Sequence, residues 1–198
     1  MVSAADIMAV CQSNYPAHTN DCSGFARACA AALSVPLQGL ADQIYQTIIG
    51  GNGWTVTTGA AGAQQASMGH FTLGALMGSM QAHPNAHGHV VVVVQGPLNR
   101  GSYPTAAWGA LNGTPSGSTP GANGIFNTTN YAWNLNDLPN VVWAVYNTKD
   151  NLPPANIPQV SNMNFQPPAE QNFPMCVTQD LREQSTTVRA ISHIMSWN

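Results

Sequence analysis

Five consecutive valines follow a histidine in the run HVVVVV at residues 89–94. β-Branched residues favour extended backbone, and an unbroken apolar run is typical of a strand that is buried on both faces. The chain must therefore form a sheet that is covered on two sides. Further strands are predicted at 71–77, around 102–111 and at 141–146, where short apolar segments recur.

Helical periodicity is found ahead of these strands. Apolar side chains recur at i, i+3, i+4 and i+7 through CSGFARACAAALSV (22–35), and Pro36 ends that helix. A second helix is predicted over 37–49 and a short third one over 60–68. Helices followed by strands predict an α+β fold, with the helices gathered on one side of an antiparallel sheet.

The chain divides at about residue 148. Its 198 residues, 44% of them hydrophobic, suit one domain with a substantial core, and we assign that domain to residues 1–148. Within it, the Gly-, Pro- and Ser-rich segment 112–124 is predicted to be a loop. The segment 149–198 is rich in Pro and Asn, so we predict an irregular extension with a helix at its end.

Charge and hydropathy exclude several partners. Only 7% of residues are charged and the formal net charge is -3, so we expect no nucleic-acid binding by counterion release. No segment approaches the roughly 20 apolar residues that span a bilayer, so we expect no membrane insertion. The N-terminus lacks the basic and apolar regions of a signal peptide, which predicts synthesis in the cytoplasm without a cleaved signal.

A cysteine stands at the start of the predicted helix 22–35, in the segment NDCSGF. The free N–H groups and the dipole of a helix N-terminus stabilise a thiolate, so we predict a lowered pKa and a nucleophilic role for Cys22. Gly24 is expected to let another chain approach the thiol. Cys29, among alanines inside the helix, is expected to be a buried structural cysteine.

The cysteines do not indicate a disulfide framework. There are four of them, with no CxxC pair, in a chain of 198 residues. We expect at most one bridge, which would join Cys11 to Cys176.

A thiol nucleophile needs a base, and His89 is the best placed of the six histidines. It follows Gly88 and begins the valine strand, which would fix the imidazole on a rigid element at the rim of the sheet. His87 is the next candidate for the same role.

Three histidines also have a spacing that fits a metal site, in His83-x3-His87-x-His89. A catalytic zinc usually requires a further ligand and a carboxylate base. No acidic residue lies between Asp42 and Asp137, so we expect no metal and no other cofactor.

Two motifs together resemble a known family. NDCSGF at the start of a helix, with GHVVVV on a strand well downstream, resembles the NlpC-type branch of the papain-like cell-wall peptidases. The longer run GHVVVVVQGPLNR (88–100), with Tyr103, Gly109 and the strand at 141–146, resembles family 1 of the type VI secretion amidase effectors. The resemblance spans roughly residues 4–148.

This resemblance implies a papain-like, NlpC-type fold and a cysteine peptidase that cleaves the γ-D-glutamyl–meso-diaminopimelate bond of peptidoglycan stem peptides. It implies that Cys22 attacks the amide and that His89 transfers the thiol proton to the leaving amine. The backbone N–H of Cys22 is the expected oxyanion donor. Asp21, Ser23 and Gly88 are candidates for oxyanion or substrate binding, with their roles left open.

The resemblance also implies partners and a place of action. These are a type VI secretion apparatus, the periplasm of a target cell, and a cognate immunity protein that blocks the active site. Two features depart from the family. First, Trp108 stands where a polar residue often orients the histidine in the family, and an indole N–H can only donate a hydrogen bond. Second, the segment 149–198 has no counterpart in the family.

Other functions remain open for the same residues. A housekeeping cell-wall hydrolase would be expected to carry a signal peptide or a wall-binding module. An acyltransferase would need an apolar groove for its acyl group. A catalytically decayed binding module would have an unreactive Cys22.

Overall fold

A computed structural model describes residues 2–84, 86–110 and 124–147 of the chain. The predicted extension 149–198 with its terminal helix, and nearly all of the predicted loop 112–124, lie outside the described residues. Within the described residues the helices are α1 (Ala4–Asn14), α2 (Cys22–Ala32), α3 (Ala41–Ile49) and α4 (Gly59–Ser67), and the strands are β1 (Trp54–Thr57), β2 (Thr72–Leu76), β3 (His89–Val93), β4 (Thr105–Ala107), β5 (Asn127–Thr128) and β6 (Val142–Tyr146).

The strands form a single antiparallel sheet in the order β1-β6-β2-β3-β4-β5. The valine strand β3 lies between β2 and β4, where Leu76 pairs with His89 and Thr72 pairs with Val93. Every residue of β3 is buried, so the predicted burial on both faces is confirmed.

Helices cover the sheet on both faces. Val90 and Val92 point to one face, where they share a core with side chains of α1, α2 and α3. The alternate Val91 and Val93 point to the other face, where they pack with alanines of α4. The predicted α+β fold, with helices packed on an antiparallel sheet, is confirmed, and it is compatible with a papain-like amidase.

The position of α4 differs from the expectation that all helices gather on one side. Gly62 explains how α4 packs on the opposite face, since a Cβ there would lie 3.2 Å from the Thr72 methyl group. The small side chains of GAAGAQQAS therefore let this helix approach the sheet closely.

Some element boundaries differ from the predictions. The helix predicted over 22–35 ends at Ala32, and Ser34 follows in a left-handed conformation with φ 56°. Helix α3 begins at Ala41 rather than at residue 37. Helix α1 was not predicted, and it is stabilised by a reciprocal capping box between Ser3 and Asp6. No helix in the described part of the chain has the length and apolar character needed to cross a bilayer.

Candidate active site

Asp21 begins the helix that carries the predicted nucleophile. Its backbone is extended, and its Oδ1 accepts hydrogen bonds from the Gly24 N–H at 2.7 Å and the Ser23 hydroxyl at 3.0 Å. This is an N-cap, and it fixes Cys22 as the first residue of α2. The candidate residues Asp21 and Ser23 therefore both take part in building the helix start.

The charge on Asp21 is stabilised by the same contacts. Partial burial opposes ionisation, but the Gly24 N–H, the Ser23 hydroxyl and the nearby Arg27 and His18 hold the pKa of its carboxyl below the ordinary value. Gly24 is needed for this arrangement, because a Cβ there would collide with the Asp21 carboxylate. Gly24 thus has a steric role in the helix cap, and the expectation that it lets another chain approach the thiol stays a prediction.

The sulfur of Cys22 lies beside the peptide that joins His89 to Val90. The backbone N–H groups of Val90, Ser23 and Cys22 all lie close enough to the sulfur to favour its ionised form. In a trans peptide the N–H of one residue lies on the same side as the Cα of the residue before it. The thiol therefore lies next to the backbone of His89.

The end of the β3–β4 pairing leaves the Val90 N–H available. Residues of β4 pair with Val92 and Val93, and the Val94 N–H donates to Thr105 at 3.0 Å, so the even-numbered N–H groups of β3 face β4. Past the end of β4 the chain turns to the segment before α2, where the Ala110 N–H donates to the Thr19 carbonyl at 2.7 Å. The Val90 N–H therefore faces the start of α2, where the Cys22 sulfur lies.

The prediction of a lowered pKa for Cys22 is wrong for this structure. Burial raises its pKa to about 11, with Asp21 adding to the rise, and this outweighs the three N–H groups that favour the thiolate. The sequence predicted that Cys22 begins the helix, but it did not predict that the thiol is buried. Cys22 is therefore a neutral thiol at neutral pH.

His89 is also neutral at neutral pH. Its side chain is fully buried, and burial lowers the pKa of the imidazole to about 4. The ring packs edge to face against Trp133, with 5.3 Å between ring centroids. Neither ring nitrogen has a hydrogen-bond partner among the described residues, so the structure brings Cys22 to the His89 backbone without a thiol–imidazole hydrogen bond.

This pair can carry out general-base chemistry. A neutral imidazole with a free nitrogen can accept a proton, and a neutral thiol can supply one. Hydrogen bonds in an empty catalytic site are often longer than in the reacting complex. The imidazole packs on Trp133 while its own Cα lies next to the sulfur, so general-base chemistry requires the ring to turn toward Cys22.

Gly88 and Asp42 hold the segment that precedes His89. The Asp42 carboxylate in the first turn of α3 accepts from the Gly78 N–H at 2.9 Å. A Cβ on Gly88 would collide with the same carboxylate and would lie 2.6 Å from the Leu76 carbonyl. Gly88 thus has a steric role that was not foreseen, and Asp42 is a site-supporting residue that sequence reasoning missed.

Trp108 is fully buried on the same side of the sheet as Trp133. Its indole nitrogen has no hydrogen-bond partner among the described residues. An indole N–H only donates, so Trp108 cannot accept a proton from the imidazole.

The two other cysteines in the described part of the chain lie together in the core. Cys11 is a free, fully buried thiol, and its sulfur lies 3.9 Å from that of Cys29. Cys176 lies outside the described residues, so the Cys11–Cys176 bridge stays a prediction. Cys29 is fully buried in the core, as predicted.

The three histidines with metal-like spacing have different environments. His83 and His87 are exposed, whereas His89 is buried. Among residues 2–84, 86–110 and 124–147, no group of three His, Cys, Asp or Glu side chains is arranged to hold a metal ion.

Comparison with known proteins relates this site to an enzyme family. Over 133 residues the sequence is 31% identical to the peptidoglycan amidase Tse1 of Pseudomonas aeruginosa, and the alignment covers 64% of this chain and 75% of that protein. The chain belongs to the Tse1 amidase family. No family model matches the sequence. Membership of the Tse1 family confirms the predicted resemblance to amidases and supports a hydrolase activity for the chain.

Proposed function

We propose that this protein is a cysteine amidase that hydrolyses peptidoglycan stem peptides at the γ-D-glutamyl–meso-diaminopimelate bond. The observation that carries the proposal is the position of the Cys22 sulfur, at the first turn of a helix and beside the His89 backbone. The related protein Tse1 is a peptidoglycan amidase, which supports a stem-peptide amide as the substrate. The sequence resemblance to type VI amidase effectors of family 1 supports this particular bond.

The first half of the reaction forms an acyl-enzyme. The Cys22 sulfur attacks the carbonyl carbon while His89 accepts the thiol proton, so the thiolate forms only as the carbon–sulfur bond forms. His89 then gives this proton to the nitrogen of the diaminopimelate residue, and the carbon–nitrogen bond breaks. This order of steps suits a resting site in which the thiol and the imidazole are both neutral. An imidazole with a low pKa is unprotonated when the substrate arrives, so it can accept the thiol proton.

The start of α2 supplies donors for the tetrahedral intermediate. The N–H groups of Cys22 and Ser23 both interact with the sulfur, and so lie close to any carbonyl that bonds to it. Such backbone donors are fixed before the reaction and stabilise the developing oxyanion. The Asp21 cap holds this turn in place and leaves these two N–H groups for the substrate.

The second half of the reaction releases the product. His89 removes a proton from a water molecule, and the resulting oxygen nucleophile attacks the thioester carbon. The carbon–sulfur bond breaks and the sulfur recovers the proton from His89. This returns the neutral pair and leaves a γ-carboxylic acid on the glutamyl residue, which then loses its proton to the solvent.

We propose further that the enzyme is an antibacterial effector of NlpC type. It would be secreted by a type VI apparatus from the cell that makes it, and would act in the periplasm of the target cell. Kin would be protected by a cognate immunity protein that covers the Cys22 site. These features rest on the resemblance to the effector family, which Tse1 family membership supports.

The experiment that tests this proposal compares two compartments. Expression in the cytosol of a Gram-negative host should be tolerated, since peptidoglycan is absent there. The same protein with an export signal should cause lysis, and Cys22→Ala should abolish it. Isolated sacculi treated with purified protein should release fragments whose masses identify the cleaved amide, and intact stem peptides after treatment would refute the proposal.

A further inference from the structure

Trp133 contacts the proposed base but had no place in the sequence-based site. It is buried, and its indole ring meets the His89 imidazole at 5.3 Å between centroids with an interplanar angle of 71°. Forty-four positions separate the two residues in sequence, so only the fold brings them together. Edge-to-face contacts of this kind prefer a defined ring orientation.

We propose that Trp133 is a positioning residue for His89, and that its indole ring fixes the orientation of the imidazole and excludes water from it. This inference rests on the proposed function, since it assigns a role toward the base of that reaction. Trp133 touches His89 and is not proposed to touch the reacting atoms.

Among the described residues, apolar side chains and aromatic rings surround the His89 imidazole, and no side chain hydrogen-bonds to it. Its neighbours on the same sheet face are Leu76 on the paired strand and Val91 two positions along β3. Neither ring nitrogen has a hydrogen-bond partner among the described residues. Packing must therefore do what a hydrogen-bonded carboxylate or amide does in other cysteine hydrolases, and Trp133 is the aromatic ring in contact.

Trp133 is itself braced by a second ring. Trp143 of β6 meets it edge to face at 6.1 Å and 82°. Gly74 on the adjacent strand β2 leaves space for Trp143, because a Cβ there would lie 2.7 Å from its ring atom Cε3. Trp143 is thus held by the sheet and packs against Trp133. Trp133 in turn packs against the imidazole of His89.

Ionisable groups of α2 and α3 lie at the start of β3, and a buried carboxylate lies in the turn that follows Trp133. Cys22 lies at the start of α2, and Asp42 of α3 reaches Gly88. Asp137, in the turn after Trp133, is buried and accepts from the Ala82 N–H at 2.6 Å. Burial alone accounts for the lowered pKa of His89, so a change in packing at Trp133 should move that pKa.

The test compares Trp133→Leu with Trp133→Phe and a matched control, Trp54→Leu. Trp54 is a buried tryptophan of β1 that packs with Phe71 and Tyr146 on the opposite sheet face. Two readouts apply to each full-length protein: the His89 pKa from an NMR titration, and kcat/KM on a purified muropeptide at pH 5 and pH 8.

Trp133→Leu should admit water and raise the His89 pKa toward its ordinary value of 6.5. The unprotonated fraction at pH 5 would then fall by up to about 30-fold, with little change at pH 8. Trp133→Phe should keep the edge contact and the wild-type pH profile. Trp54→Leu should lower stability without moving the pH profile.

Equal losses at both pH values in Trp133→Leu, or the same profile shift in Trp54→Leu, would overturn the inference. If Trp133→Leu does not fold, the wild-type protein and Trp133→Phe still test the proposed role of Trp133. A wild-type His89 pKa near 6.5, or no nuclear Overhauser effect between the His89 and Trp133 rings, would overturn it. The NMR readouts need no turnover, so they separate failure of this inference from failure of the proposed amidase function.

Discussion

The first and third turns of helix α2 each carry a buried cysteine, and the two differ in what surrounds the sulfur. Cys22 is 5% exposed and Cys29 is 0% exposed, so burial alone does not separate them. Backbone N–H groups, including that of Val90, surround the sulfur of Cys22, whereas Cys29 packs against another thiol, that of Cys11. Fixed donors at a helix start, rather than exposure, therefore distinguish the proposed nucleophile from the core cysteine.

Replacing each of the two cysteines by alanine, one at a time, should give the largest difference in activity. Cys22→Ala should lower kcat/KM on muropeptides by at least about 1000-fold, because no covalent intermediate can form. Cys29→Ala should keep activity within a few-fold and cost about 1 kcal/mol of stability for the small cavity. Similar losses of activity in both variants would remove the distinction between the two turns.

The two histidines that flank Gly88 extend the comparison to the base. His89→Ala should reduce kcat by roughly 100- to 10,000-fold, the usual contribution of a general base. His87→Ala should have little effect, because this side chain is exposed on the segment before β3. Steady-state kinetics on the folded variants measure both, and a larger loss in His87→Ala would transfer the role to that residue.

The pH dependence of stability tests the burial of the base. The His89 pKa is lowered from 6.5 to about 4 on folding, so between these values the unfolded chain binds more protons. The free energy of unfolding should therefore fall by about 3 kcal/mol as the pH falls from 6.5 to 4. Urea titrations of the wild type and of His89→Gln measure this, and an equal pH dependence in the two would contradict the burial of an ionisable ring.

The smallest effect should come from the cap that holds the first turn. Asp21→Ala removes the acceptor of the Gly24 N–H and should cost about 1 kcal/mol. It should also lower kcat, since the N–H donors near Cys22 lose their fixed position. Thr58→Ala, which removes the N-cap of α4, should cost similar stability with no loss of kcat. Equal kinetics in the two variants would show that the Asp21 cap only stabilises its helix.

Local patterns were enough to predict some parts of this molecule. The NDC segment predicted the start of α2 at Cys22, and the valine run predicted a buried strand from His89. Both depend on neighbouring residues, which a sequence displays directly. Helix α1 and the short strands β1 and β5 were missed, because short amphipathic segments and edge strands carry a weak periodic signal.

Properties that depend on distant contacts could not be predicted. The Val90 N–H is available only because the β3–β4 pairing ends before it. Trp133 reaches His89 through the fold, and no local motif marks it. The predicted direction of the Cys22 pKa shift was wrong because the helix start was visible in the sequence while its burial was not.

The covalent intermediate tests the central claim most directly. Purified protein mixed with muropeptides and quenched in acid within the first turnover should carry a stem-peptide acyl group, seen as a mass increase of the whole chain. Peptide mapping should place that group on the fragment that contains Cys22, with none on Cys11 or Cys29. An acyl group on another residue, or turnover with no protein-bound acyl group at any quench time, would contradict the assignment of Cys22 as the nucleophile.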